Sequence, residues 1–290
     1  MSHITAIANN KGGVSKTEVT CQLAAALARA GRRVLVVDMD PQANASRRLG
    51  VEWDPSAPTP TMSEVLASAQ DGVGEAAVVA CGWDTDQAPE GERIDVLPAR
   101  FDLINRESEA GAVGAFRRLT KALKGWTDAY DVVLIDTRPD LGHLVQMAFA
   151  AADSVIIPCD PSFDSVEAAL RVRDFVELHS ADLMNPALHV SGLIITRRKM
   201  NKEHDYQIEG LLDKFGDLVW KLGGVVRLPD GRELLNPNWI PEWSRFSEAD
   251  AAATSLTAYS DQKGRETVAI YDALARVYTA RILNTKKDAA

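Results

Sequence analysis

The sequence has no apolar run near the roughly 18 residues needed to span a bilayer. Its Val/Ile/Leu stretches at 34–37 and 132–135 are strand-sized. The opening residues, MSHITAIANN, lack both a basic segment and a long apolar core, so no secretion signal is read there and a cytosolic protein is expected. Cysteine is scarce. Three residues, Cys21, Cys81 and Cys159, are widely separated and odd in number, which argues against a disulfide framework or metal cluster and for structural thiols. The five histidines show no H-x-x-x-H spacing and no serine sits in G-x-S-x-G, which leaves metalloprotease and esterase chemistry without a motif. Excess positive charge is also missing. A formal net charge of -9 argues against a protein coated in nucleic acid, so any DNA contact must come from a local basic cluster.

What is present is an alternation of short, nearly continuous apolar runs with helical patterns. The runs are 4–8, 33–37, 94–97, 131–135, 154–158 and 191–196, the marks of parallel strands buried on both faces. The first helical pattern, 17–30, is rich in Ala and Leu and stops at Gly31. The expected fold is α/β: a doubly wound, mostly parallel sheet with helices on both faces, in one domain over 1–290. Two stretches break the rhythm. Residues 70–95 read as a loop or surface excursion, and 222–239 contain Asp230-Gly231 between apolar flanks, a hairpin signal. The tail 284–290 is expected to fray.

The stretch IANNKGGVSKTEVT, 7–20, lies between the first strand and first helix. It departs from G-x-x-x-x-G-K-[ST], because Asn10 and Ser15 stand where the framing glycines belong. It reads as a damaged nucleotide site, a chance Gly-Gly turn, or a site with its own rules. A Gly turn opening a helix aims backbone N–H groups and the positive end of the helix dipole at one point, which suits an anion. The next strand ends in VLVVDMDPQANAS, which places Asp38 and Asp40 at the sheet edge where ligands bind in open α/β folds. Capping the following helix is their alternative role. Asp136 ends YDVVLIDTRPD, four apolar residues and an acid, the pattern that holds Mg²⁺ in phosphate-loop enzymes.

K-G-G-V-S-K-T, with Lys11 before the glycines and Lys16 after, resembles the deviant Walker A loop of the ParA/MinD family of ATPases. The resemblance extends through VLVVDMDPQANAS, YDVVLIDTRPDLGHL, ADSVIIPCDPSFDSVEAAL, SGLIITRRKMN and NWIPEWSRFSEAD, with D-x-D-P-Q-x-N pointing to the ParA partition branch. It implies a nucleotide site of Lys11, Gly12, Gly13, Val14, Ser15, Lys16, Thr17 and Glu18, with Ile240 and Pro241 reading adenine. It implies that Lys16 contacts the β- and γ-phosphates, Lys11 reaches a partner's nucleotide, and Asp40 orients the attacking water. Thr17, Asp38 and Asp136 would serve Mg²⁺. By the same resemblance the cofactors are ATP and Mg²⁺, and the assembly an ATP-dependent homodimer with a ParB-type stimulator and slow unaided turnover. Nonspecific DNA would be bound through Arg197, Arg198, Lys199, Lys202 and Arg245, placing the protein in the cytoplasm at the nucleoid. A solvated loop is the plainer reading of that basic cluster.

Some positions depart from the family pattern. Ser15 replaces the usual glycine, and a positive φ there would cost on the order of 1 kcal/mol. Glu18 stands where a second Thr or Ser usually faces the α-phosphate, and a carboxylate must turn away to avoid repulsion. Arg138 replaces a proline, either as a surface arginine or as an extra phosphate or interface contact. The chain begins almost at its first strand, so no N-terminal helix-turn-helix domain is expected. A MinD-like membrane regulator and a nucleotide-gated switch with little turnover stand as alternatives. Against the first, Ile270, Leu274 and Val277 of the last helix are expected to pack on the sheet, leaving no stable membrane anchor.

Overall fold

A computed structural model describes residues 2–56, 58–227, 233–236 and 238–284. Its main sheet uses β1 (His3–Ile7), β2 (Val34–Met39), β3 (Val79–Ala80), β4 (Ile94–Leu97), β5 (Val132–Thr137), β6 (Ser154–Cys159) and β7 (His189–Ile195). They lie in the order β3-β4-β2-β5-β1-β6-β7, parallel except for the antiparallel pair β3-β4. The uniform apolar runs divide between two cores by side-chain alternation. In β2, Leu35 and Val37 enter one core, while Val34 and Val36 enter the other.

The second core is covered by α1 (Lys16–Arg29) and α9 (Gln262–Tyr278), which pack against each other. α9 is anchored by apolar burial of Ile270 and Leu274 and by Tyr278, whose hydroxyl meets Thr5 Oγ1 at 2.8 Å. Val277 is half-buried against the same core, in line with the sequence reading. The first core is closed by α5 (His143–Ala151) and α6 (Phe163–His179). Shorter helices α2 (Asn44–Arg48), α3 (Met62–Ser68) and α4 (Arg118–Ala122), together with α7 (Lys202–Phe215) and α8 (Ser244–Ala251), complete the layers.

Residues 70–95 form an excursion that is tied to the body of the fold. They supply the antiparallel edge strand β3 and bury Trp83 and Glu90. Glu90 accepts hydrogen bonds from Arg29, Ser255 and Thr257, so an excursion rich in polar residues is fastened by one buried acid with three donors. At 222–239, β8 (Gly224–Arg227) and β9 (Glu233–Asn236) pair antiparallel, as the hairpin signal requires. The Asp230-Gly231 turn lies outside the described residues, as does the tail beyond Asn284.

Candidate nucleotide site

Strand register brings the acids together. β5 is hydrogen-bonded between β2 and β1, so Asp136 is level with Asp38 on one side and Ile7 on the other. The loop after β1 turns through Gly13 at φ 77° and Ser15 at φ 64° before α1 begins. Ser15 therefore does adopt the left-handed conformation, and its strain is held at a turn that the flanking strand and helix fix. The Thr17 hydroxyl donates to Asp136 Oδ2 at 2.8 Å and that of Thr20 to Oδ1 at 3.1 Å. Asp38 receives the backbone N–H and hydroxyl of Ser46 at 2.9 and 2.8 Å and the N–H of Asp40 at 3.1 Å.

Both Asp38 and Asp136 are fully buried. Burial pushes the Asp136 carboxyl up to about 7, with the neighbouring Asp38 charge adding to it. Burial likewise lifts Asp38 to about 6 against its three hydrogen bonds. Two buried carboxyls side by side are a poor arrangement for an empty core and a good one for a hard divalent cation. Lys16 is buried too, its Nζ donating to the Lys11 carbonyl at 2.8 Å; desolvation lowers its pKa while Asp136, Asp40 and Asp140 hold it up. Asp40 faces the adjoining cavity of ≈ 630 Å³ and accepts the Gln42 N–H at 2.9 Å.

The remaining expected residues divide. Gly12, Gly13, Ser15, Lys16, Thr17 and Glu18 line the cavity, whereas Val14 is packed away with its carbonyl bonded to Thr196. Lys11 points to α6, where its Nζ donates to Ser162 Oγ at 2.8 Å and lies 3.7 Å from Asp160. Glu18 turns toward α9: Tyr271 donates its hydroxyl to Oε1 at 2.7 Å, and burial pushes the acid up to about 7. Arg138 faces the cavity but is held by Glu107 at 3.1 Å and Asp140 at 2.6 Å, so it is no free surface arginine. Glu107 also receives two N–H groups at the start of α5, which ties that arginine to the helix.

Three expected residues stand in surroundings that the sequence did not show. Ile240 has its N–H bonded to the Ile195 carbonyl and its own carbonyl accepting from Arg198, and of that pair Pro241 lines the cavity. Arg197 belongs to the cavity wall, donating to the Gly13 carbonyl at 2.9 Å and to Glu242 at 2.6 Å. Arg198 is buried, ion-paired with Asp205 and placed over Trp239. The basic cluster is thus largely neutralised: Lys199 pairs with Glu242 at 2.9 Å, Arg245 pairs with Glu248 and Asp261, and Lys202 is exposed. Charge counted along the sequence overlooked the acids that folding supplies from 205, 242 and 261. Sequence reading also missed Thr20, Ser46 and Ser162, since isolated hydroxyls carry no signal until the strands align them.

Comparison with known proteins agrees with this architecture. An AAA domain family model matches residues 2–190. The sporulation initiation inhibitor protein Soj of Bacillus subtilis is 34% identical over 223 residues, covering 76% of this chain and 83% of Soj. The chromosome partitioning protein ParA of Caulobacter vibrioides is 35% identical over 221 residues, covering 75% and 78%. Among solved structures, a McdA–ATP complex from Cyanothece superposes with a TM-score of 0.74 at 21% identity, over 94% of this chain and 96% of McdA; at that identity it speaks for the fold alone. With the phosphate loop, the in-register acids and these relatives in agreement, the chain belongs to the ParA/MinD family of P-loop ATPases.

Proposed function

We propose that this protein is an ATP- and Mg²⁺-dependent ATPase that closes as a homodimer over two nucleotides, binds DNA nonspecifically in that state, and drives plasmid or chromosome partition with a ParB-type stimulator. The observation that carries the reading is the convergence of Thr17, Asp38 and Asp136 beneath Lys16, with Asp40 at the cavity edge. These hard oxygen donors fit magnesium, which would supply charge neutralisation on the phosphates. Lys16 would hold the β- and γ-phosphates, Thr17 would provide a ligand, and Asp38 and Asp136 would hold the water shell. Asp40 would orient water rather than abstract its proton, which fits slow turnover until a partner completes the site. Lys11 is satisfied within its own chain by Ser162, so reaching across a dimer would exchange that contact for a partner's phosphate.

On this reading the DNA contact falls first on Lys199, ion-paired with Glu242 but more than half exposed, and on the exposed Lys202, because Arg198 is buried and Arg197 and Arg245 are each held by two groups. Doubling the patch by dimerisation makes DNA binding ATP-dependent and steeply salt-dependent. The protein would then sit on the nucleoid in the cytoplasm. Among the described residues no helix is long and apolar enough to cross a membrane. The test is DNA co-sedimentation with ATP, ADP and no nucleotide, alongside ATP turnover with DNA and the partner. Retention only with ATP, together with stimulated turnover, is expected; equal DNA affinity in all three states would overturn the coupling.

A further inference from the structure

A loop that holds phosphates through its N–H groups must keep its own carbonyl oxygens turned away, because a carbonyl aimed at an anion repels it. In this loop the carbonyls have donors of their own. Lys11 accepts from Lys16 Nζ at 2.8 Å, Gly13 from Arg197 Nη1 at 2.9 Å, and Val14 from Thr196 Oγ1 at 3.1 Å. The Ser15 carbonyl accepts the Val19 N–H at 2.8 Å as α1 begins. Two of these donors, Thr196 and Arg197, are consecutive residues just past the end of β7, remote in sequence from the loop they hold.

Consecutive side chains of an extended strand point to opposite faces. The chain leaves that alternation at Arg197, whose φ of 51° is left-handed, and two successive side chains reach two successive carbonyls. A left-handed arginine is strained and persists where its surroundings over-determine it. Glu242 does so here: its Oε1 accepts from Arg197 Nε at 3.2 Å and Nη2 at 2.6 Å, which leaves Nη1 for Gly13. Because the guanidinium is planar, a two-point grip on one side sets the direction of the remaining N–H groups. The backbone fixes Glu242 in turn, since the Ile240 N–H bonds the Ile195 carbonyl, that of Arg198 bonds Ile240, and that of Glu242 bonds Arg198. Hydrogen bonds from Arg197 and Lys199 hold the Glu242 carboxyl below its ordinary range, keeping it the anion that this grip requires.

We propose that Arg197 is a positioning residue for the phosphate loop: aimed by Glu242, it holds the Gly13 carbonyl outward and so leaves the loop N–H groups free for a nucleotide phosphate. The inference rests on the nucleotide-binding reading of the same cavity. Arg197 also lines that cavity, so direct contact with a phosphate is the competing role. The two roles differ in sign at Glu242. An acid that occupies a phosphate-binding arginine lowers nucleotide affinity, whereas an acid that aims a positioning arginine raises it.

The experiment is calorimetric titration of the full chain with Mg-ADP, with a thermal melt of each variant to confirm folding. The Arg197 side chain is nearly half exposed, so its replacement should disturb binding more than folding. Arg197→Met, which keeps the length and loses the donors, should weaken binding about tenfold, and Arg197→Lys, which keeps one charged donor, should fall between the two. Glu242→Ala should cost at least about threefold more affinity with Arg197 present than in the Arg197→Met background, where it reports the loss of the acid's charge alone. A gain in affinity confined to the background with Arg197 would make the arginine a direct phosphate contact and overturn the positioning role. An equal effect of Glu242→Ala in both backgrounds overturns it too, as does a folded Arg197→Met chain that binds within about twofold of wild type. Absence of Mg-ADP binding to wild type would instead overturn the nucleotide reading itself, and this inference with it.

Discussion

Replacing Asp136 by asparagine should stabilise the nucleotide-free protein while removing its response to magnesium. Asp136 is fully buried beside Asp38, and its carboxyl is pushed from the ordinary 3.8 up to about 7. That displacement corresponds to on the order of 4 kcal/mol for keeping it ionised at pH 8, and because Asp38 shares the burden, neutralising one acid should recover about 2 kcal/mol. The sign follows from linkage. An acid whose native pKa lies above its unfolded value contributes stability below about pH 4 and loses it as pH rises through about 6 for Asp38 and about 7 for Asp136. Wild type without ligand should therefore weaken between about pH 4 and pH 7 in urea titrations, and the Asp136→Asn slope should be shallower. Mg-ADP should restore wild type at pH 8 by mass action and leave the variant unmoved. An asparagine variant at least about 1 kcal/mol less stable than wild type at pH 8, with an unchanged pH slope, would refute the reasoning. It would mean that Asp136 matters as the acceptor of Thr17 and Thr20 rather than as a buried charge.

Further outcomes are open to direct measurement. Lys11→Ala should leave ADP affinity within about threefold yet abolish the ATP-dependent dimer in analytical ultracentrifugation, since the side chain now contacts α6 instead of its own phosphate loop. Arg138→Ala should cost only about 1 kcal/mol in urea unfolding and change nucleotide affinity less than threefold, because Glu107 and Asp140 already neutralise that guanidinium. Gly192→Ala should lower the thermal midpoint, by about 1–3 kcal/mol of stability, since an added Cβ would lie 2.1 Å from Trp220 Nε1 in a closed core. Lys199→Ala/Lys202→Ala should weaken ATP-dependent DNA retention and reduce its salt slope by about 2, whereas an unaltered slope would place the contact elsewhere.

The sheet was legible because its signals are local. Runs such as 33–37 and 131–135 carry strand length and burial in their own composition, and the observed β2 and β5 differ from them only at the ends. The Lys16-Thr17 loop and the acids at the ends of β2 and β5 were legible for the same reason, each belonging to the few residues that end a strand or begin a helix. The partners of the basic cluster were not legible because charge pairing is not local. Arg197 and Lys199 share Glu242 more than forty positions away, and Arg198 is buried with its guanidinium paired to the exposed Asp205. Residues 70–95 resisted reading because a buried anchor, Glu90, depends on Arg29 and Ser255, from opposite ends of the chain.

By itself the sequence determined the parallel α/β layout, the phosphate loop with its two lysines, and which three aspartates stand at strand ends, since backbone propensity and side-chain alternation act over a few residues. Tertiary structure alone decided the state of those groups. It set Asp136 level with Asp38 through the β2–β5 register, turned Glu18 from the phosphate loop toward Tyr271, and placed Asp250 and Arg48 in the same cavity. Desolvation and pairing depend on neighbours in space, and the chain supplies those neighbours only when the sheet has closed.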